Sequence, residues 1–174
     1  MRSKMEKKYN PMEYNNAIAC EVCGGLNYAD DFGNSDRCPN CGWEQSKDSE
    51  IYEEMYGISY PMLVSLSHAR EQYKAGKPFK ANFEEFINGL MFYAEMLFWH
   101  DGICYEVFRR ADGAVLASKE IMQTYATIED FKAQANINGR LLVDIWDEVV
   151  HPCFRYCGNP ETDYDVPPED YGTV

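Results

Sequence analysis

Along the second two-thirds of the chain the apolar positions change period several times, and each change predicts an element. Met62, Leu66, Ala69 and Tyr73 recur every three or four residues between Ser59/Pro61 and Gly76/Pro78. That spacing predicts a helix with its start and stop signals in place. Phe83, Phe86, Ile87 and Leu90 repeat the pattern behind Asn82, and Glu85 three residues on completes a capping box. The pattern then shortens: Ala94 to Trp99 and Ile103 to Phe108 read as strands joined at His100 to Ile103, "HDGI". A second Asp-Gly, Asp112-Gly113, leads into Ala114 to Ala117, and a fourth strand is expected around Ile121 to Tyr125. Asp-Gly between apolar runs is a strong hairpin signal, so these strands form an antiparallel meander. Thr127 with Asp130 caps a short helix carrying Ile128, Phe131 and Ala135. After Asn138-Gly139 a last helix is expected over Arg140 to Val149. There Leu141, Leu142, Ile145, Trp146 and Val149 lie inward while Asp144, Asp147 and Glu148 lie outward.

The N-terminal part has a different texture. Cys20-Glu21-Val22-Cys23-Gly24 and Cys38-Pro39-Asn40-Cys41-Gly42 are two C-x-x-C pairs, each followed by glycine. Between them Asp30 to Asp36 reads as a hairpin tip with short strands around Leu26–Tyr28 and Asp36–Arg37, placing the knuckles at its opposite ends. Glu44 to Glu54 reads as an acidic linker, and the Pro- and acid-rich tail from Asn159 as disordered. The fold class expected is therefore α+β: a zinc ribbon, a helix, and a small module with an antiparallel meander and short helices. Its divisions are 1–16 as a lead-in, 17–48 as ribbon, 49–78 as linker and helix, 79–157 as the α+β module, and 158–174 as tail.

The paired cysteines carry the clearest chemistry. In a metal knuckle two thiolates converge on one ion while backbone N–H groups turn toward the first sulfur. Glycine ends that turn in a left-handed conformation without steric cost, and the proline after Cys38 fixes φ at its entry. Four thiolates from Cys20, Cys23, Cys38 and Cys41 give a tetrahedral site for Zn²⁺, with iron in a rubredoxin-like site as the alternative. A thioredoxin-like C-x-x-C needs a helix start in a βαβ context, which neither pair has. Disulfides need an exported chain, and the charged start MRSKMEKKYN lacks the apolar core of a signal peptide. The expected compartment is the cytoplasm, where thiols stay reduced. With all four positions filled by protein the ion is structural.

Two stretches resemble known families. "CPNCGWEQ" resembles the second knuckle, C-P-x-C-G/F-W-E-D, of the cysteine-rich CPCC family of small bacterial proteins. "SLSHAREQY", Ser65 to Tyr73, resembles the S-L-x-x-A-R-x-N-Y stretch that follows it there. The similarity covers roughly Cys20 to Gly76 and departs at the first knuckle, where Glu21 and Val22 stand in place of P-x. It implies a fold and a metal and no reaction. Phe98 to Tyr105 and Gly139 to Glu148 are similar to the hairpin and closing segment of a small α+β module in uncharacterised, mainly Firmicutes proteins, which likewise implies packing and no activity.

Charge narrows the partners. The chain of 174 residues carries −13, and Ala17 to Asp48 holds six acidic residues (Glu21, Asp30, Asp31, Asp36, Glu44, Asp48) against Arg37 and Lys47, a balance of −4. Phosphate backbones repel such a surface, although Arg2, Lys4, Lys7 and Lys8 make a basic tip. There is no Gly-rich phosphate loop, no H-E-x-x-H, no G-x-S-x-G, and there are three histidines. Of these His68 reads as a packed or solvated side chain beside the helix stripe. The adjacent carboxylates, Asp30-Asp31, Glu84-Glu85 and Asp147-Glu148, read as turn or outer-face residues. "HPCFRYC" has two readings: structural thiols packed near the end of the domain, or a weak second metal site in which His151, Cys153 and Cys157 are joined by Cys104 or His100. The function expected is a non-catalytic zinc-binding accessory protein that works on another protein. The alternatives are a nucleic-acid-binding ribbon regulator and an enzyme with a site between the two modules.

Overall fold

The computed structural model describes residues 16–29, 35, 37–59 and 62–154. The lead-in before Asn16, most of the expected hairpin tip, Pro61, Cys157 and the tail from residue 158 lie outside the described residues. The chain is α+β, with antiparallel sheets, four α-helices among the described residues and a cysteine cluster near the N-terminus.

The first hairpin pairs β1 (Asn16–Ala19) with β2 (Leu26–Ala29), and the first C-x-x-C is the turn between them. The expected pairing of Leu26–Tyr28 with Asp36–Arg37 falls partly outside the described residues, since Asp36 is not among them. Forward of β2 there is a lone bridge, Ala29 to Ser35. The reason is local: Cys20 N–H donates to Gly25 O at 2.8 Å, so the knuckle itself folds its flanks side by side. The second knuckle does the same, with Cys38 N–H to Trp43 O at 2.8 Å and Ser35 N–H to Gln45 O at 2.9 Å.

Residues expected to be acidic linker fold into α1 (Ser49–Tyr56). Glu50 and Glu54 face outward and half-buried Glu53 accepts from Leu66 N–H at 3.0 Å, while Tyr52 and Tyr56, one helical turn apart, lie against Phe92 at ring distances of 5.1 and 4.8 Å. Helix α2 (Leu66–Lys74) starts later than Ser59/Pro61 suggested, at Ser65, whose hydroxyl accepts from His68 N–H. Upstream of it Leu63 sits at φ 61 in a turn closed by Leu63 N–H to Ser59 O at 3.0 Å, so Met62 is not on the helix.

Helix α3 (Phe83–Tyr93) has the expected capping box: Glu85 N–H donates to Asn82 Oδ1 at 2.9 Å and Asn82 N–H to Glu85 Oε2 at 2.8 Å. Glu85 does more than cap. Its buried carboxylate also accepts from Ser65 N–H at 2.8 Å and lies 2.8 Å from His68 Nδ1, tying the start of α2 to the start of α3. Glu85→Ala is expected to lower stability by about 3 kcal/mol, because it strands buried donors that bond a charged group. Glu85→Gln, keeping shape and one acceptor, should cost less. Urea melts of the two variants check the ranking.

The meander follows as β3 (Glu95–His100), β4 (Ile103–Arg110), β5 (Gly113–Ala117) and β6 (Met122–Tyr125). Helix α4 (Ile128–Gln134) is capped by the Thr127 hydroxyl, which accepts from Asp130 N–H. Arg140 to Val149 is not the helix expected. Asn138 (φ 53) and Gly139 (φ 80) make a tight turn that pairs β7 (Asn136–Ile137) with β8 (Arg140–Leu141), and Leu142 N–H continues that ladder to Ala135 O at 2.7 Å. With those donors used, the chain proceeds through turns into a 3₁₀ turn, Trp146–Glu148. Leu142, Ile145, Trp146 and Val149 are buried as the periodicity required, but Leu141 is exposed. Strand β9 (Val150–Phe154) then joins the far edge, giving the order β6-β5-β4-β3-β9.

One hydrophobic cluster runs through the fold, from Cys20, Cys38, Cys41 and Trp43 through Phe86, Leu90 and Phe98 to Phe131, Ile145 and Trp146. No described helix is long and apolar enough to cross a membrane.

Candidate metal centre

Each knuckle is built by the same two hydrogen bonds. Gly24 N–H donates to Cys20 O and Gly42 N–H to Cys38 O, both at 2.8 Å, inside the wider Cys20–Gly25 and Cys38–Trp43 closures. The chain leaves each turn at a glycine in the left-handed region, Gly24 at φ 71 and Gly42 at φ 76. Nothing lies within 4 Å of where a Cβ would sit at either, so what these positions require is backbone conformation and not space. Gly42→Ala is therefore expected to cost about 1–2 kcal/mol, read as a weaker hold on the metal in chelator competition with no change of fold.

The two turns bring four sulfurs together. Cys20 Sγ lies 3.6 Å from Cys41 Sγ, Cys23 Sγ lies 3.6 Å from Cys38 Sγ, and all four fall within 4.8 Å of one another. A tetrahedron with metal–sulfur bonds of about 2.3 Å has edges of about 3.8 Å, so the spacing fits one ion at the centre. It is far too long for disulfides, whose S–S bond is about 2.05 Å, and the described cysteines are all free thiols. The four cysteines singled out in the sequence are thus positioned to hold a metal ion.

Electrostatics make the same demand. Cys20, Cys38 and Cys41 are buried and Cys23 is partly exposed. Burial pushes the Cys41 thiol far up, with the Cys20 and Cys23 sulfurs adding to the rise, and burial also pushes Cys20 up. At Cys23 burial again acts upward, but the Gly25 N–H at 3.4 Å and the neighbouring sulfurs outweigh it, and that thiol lies below its ordinary value. Four converging sulfurs, three of them buried, become thiolates together only around a cation, and a set of soft sulfur donors selects ions such as zinc and iron over hard ones.

The centre is fastened to the rest of the chain. Arg70 Nε of α2 donates to Glu21 O at 2.9 Å, and Glu21 N–H donates to Gln45 Oε1 at 3.1 Å, linking the knuckles. Fully buried Trp43 meets Phe79 edge-on at 5.4 Å.

Of the residues named for a weak second site, Cys157 lies outside the described residues and the others are spread over β3, β4 and β9. Cys104 is on β4 opposite Trp99, and Cys153 is on β9 opposite Leu97, so β3 runs between them. Two strand spacings of about 4.8 Å therefore separate their backbones. Burial pushes the Cys153 thiol up to about 12, with Cys104 adding to the rise. His151 turns its ring to Trp99, at 6.4 Å. His100 instead faces Glu148, Nε2 to Oε2 at 3.3 Å, and Glu148 is gripped by Arg140 through bonds of 2.9 and 2.5 Å. The Arg140 guanidinium, with His100, holds the Glu148 carboxyl down at about 2. That arrangement was missed in the sequence because it depends on the turn at Asn138-Gly139, not on a helix face. Among the other paired carboxylates, Glu84 bonds Lys132 at 2.7 Å. Among the described residues the four cysteines are the one group of three or more His, Cys, Asp or Glu side chains whose ligand atoms converge. Compared with known proteins, the chain matches no family model, no curated protein and no solved structure.

Proposed function

We propose that this chain is a non-catalytic zinc-binding accessory protein, a zinc ribbon fastened to an α+β body, that works by contact with another protein in the cytoplasm. The observation that carries this reading is the closure of the four sulfurs: with all within 4.8 Å of one another, they fill a tetrahedral ion and leave no position for a reactive water. The bound ion is then structural, and its role is to supply the folding free energy that a segment this small cannot obtain from apolar burial. The resemblance of Cys38 to Gln45 to the CPCC knuckle supports the same ion. Free thiols at all described cysteines fit a reducing compartment.

Charge separates a protein partner from nucleic acid. Of the two basic residues in the ribbon, Arg37 is already paired with Glu44 at 2.9 Å. The test is affinity capture from the cells that make the protein, comparing the metal-loaded chain with a chelator-treated sample. A defined protein retained only by the loaded chain supports the proposal. Retention of DNA or RNA that weakens steeply with salt, or turnover of a small molecule by the pure protein, would contradict it.

A further inference from the structure

The register of the β1–β2 hairpin places Ala17 opposite Tyr28 and Ala19 opposite Leu26. Directly opposed residues share a face of an antiparallel pair, as do alternate residues along a strand. These four side chains therefore form one continuous surface, and all four are exposed, Leu26 by 57% and Tyr28 by 39%. The other face is turned inward, where Asn27 and Ala29 are buried. Neither strand, NAIA or LNYA, contains a charged residue, in a chain that is 26% charged. Exposed hairpins are ordinarily guarded by lysine or glutamate against adhesion, and this one is not.

We infer that this face docks an extended, apolar segment of another protein flanked by lysine or arginine, an inference that rests on the interaction role proposed above. The shape argues for an extended occupant. Ala17 and Ala19 form a low shelf along β1, and Leu26 and Tyr28 form a taller wall along β2. A strand-like segment laid on the shelf can set alternate side chains against that wall, and the metal-held knuckle presents the surface already ordered, which limits the entropy lost on binding. The charge argues for basic flanks. The apolar face belongs to a segment with a balance of −4, inside a chain of −13, so steering and complementarity favour a cationic partner. A second copy of the chain is disfavoured on the same grounds: it would bring two such charges together.

The test uses the metal-loaded full chain, isotopically labelled, titrated with a synthetic peptide of about twelve residues. Its centre alternates valine and threonine and its ends are lysine pairs; a control peptide carries glutamate in place of lysine. The expected result is that the lysine peptide shifts the amide signals of Ala17, Ala19, Leu26 and Tyr28 and binds more weakly as salt rises. The double variant Leu26→Ser, Tyr28→Ser should lose about tenfold in affinity while keeping its metal content. Equal binding of the glutamate peptide, unchanged binding by the double variant, or no binding at all would overturn the inference. A concentration-dependent dimer abolished by the double variant would also overturn it, in favour of a second copy. Shifts centred on Ile51 and Met55, exposed on α1, would overturn this surface yet leave the interaction role standing. Salt-sensitive retention of nucleic acid by the loaded chain removes the interaction role itself.

Discussion

Replacing Cys41 with serine is expected to cost the chain its metal and, with it, the folded state of the ribbon. Cys41 is fully buried, its sulfur is 3.6 Å from that of Cys20, and it belongs to the same hydrophobic cluster as Trp43 and Phe86. A serine hydroxyl does not ionise to complete the tetrahedron, so three thiolates would be left in a buried setting with an incomplete shell. Structural zinc contributes roughly 10–16 kcal/mol of apparent free energy in small modules, comparable to the whole stability of a domain, about 5–15 kcal/mol. The loss should therefore spread beyond residues 16–48. Trp43 would lose its support against Phe79, and α2 would lose the Arg70 bond to Glu21 O. The measurements are metal content after purification and a melt followed by tryptophan fluorescence. Cys153→Ser, on the far edge strand, is the comparison, and its metal content should equal that of the unaltered chain.

The next largest effect is expected at Trp146. Its ring meets Phe83, Phe86 and Phe98 at centroid distances of 5.2, 4.8 and 5.8 Å, and its Nε1–H donates to Ala81 O at 2.9 Å. One side chain thus joins the 3₁₀ turn to α3, to the centre of the sheet and to the segment before α3. Trp146→Ala removes the largest apolar surface at that junction and strands a buried carbonyl, and should lower stability by about 3–5 kcal/mol. Trp146→Phe keeps most of the ring contacts but not the donor, and its loss should be nearer the value of one hydrogen bond, about 1 kcal/mol. Chemical denaturation with an unchanged slope would show that both variants act on the native state.

What was legible in the sequence was whatever depends on neighbours along the chain. The α3 capping box needs only Asn82 and Glu85, the meander turns need only their Asp-Gly pairs, and each knuckle needs only C-x-x-C-G. The convergence of the cysteines could be read because two such knuckles have one common use. What was not legible depends on distant partners. Nothing near Leu97 says that its neighbour will be Cys153, and nothing near Arg140 says that its guanidinium will close on Glu148 across a turn. The acidity of residues 49–56 obscured α1, although Tyr52 and Tyr56 carried the helical spacing that packs them on Phe92. At Arg140 to Val149 the periodicity identified most of the buried side chains but not the backbone, since a β-turn followed by a 3₁₀ turn buries Leu142, Ile145, Trp146 and Val149 as a helix would while leaving Leu141 exposed.

X-ray absorption at the metal edge of the freshly purified protein tests the sulfur centre most directly. The expected spectrum is one zinc per chain with four sulfur neighbours at about 2.3 Å. A protein free of metal, a shell containing nitrogen or oxygen ligands, or disulfides among Cys20, Cys23, Cys38 and Cys41 would contradict it.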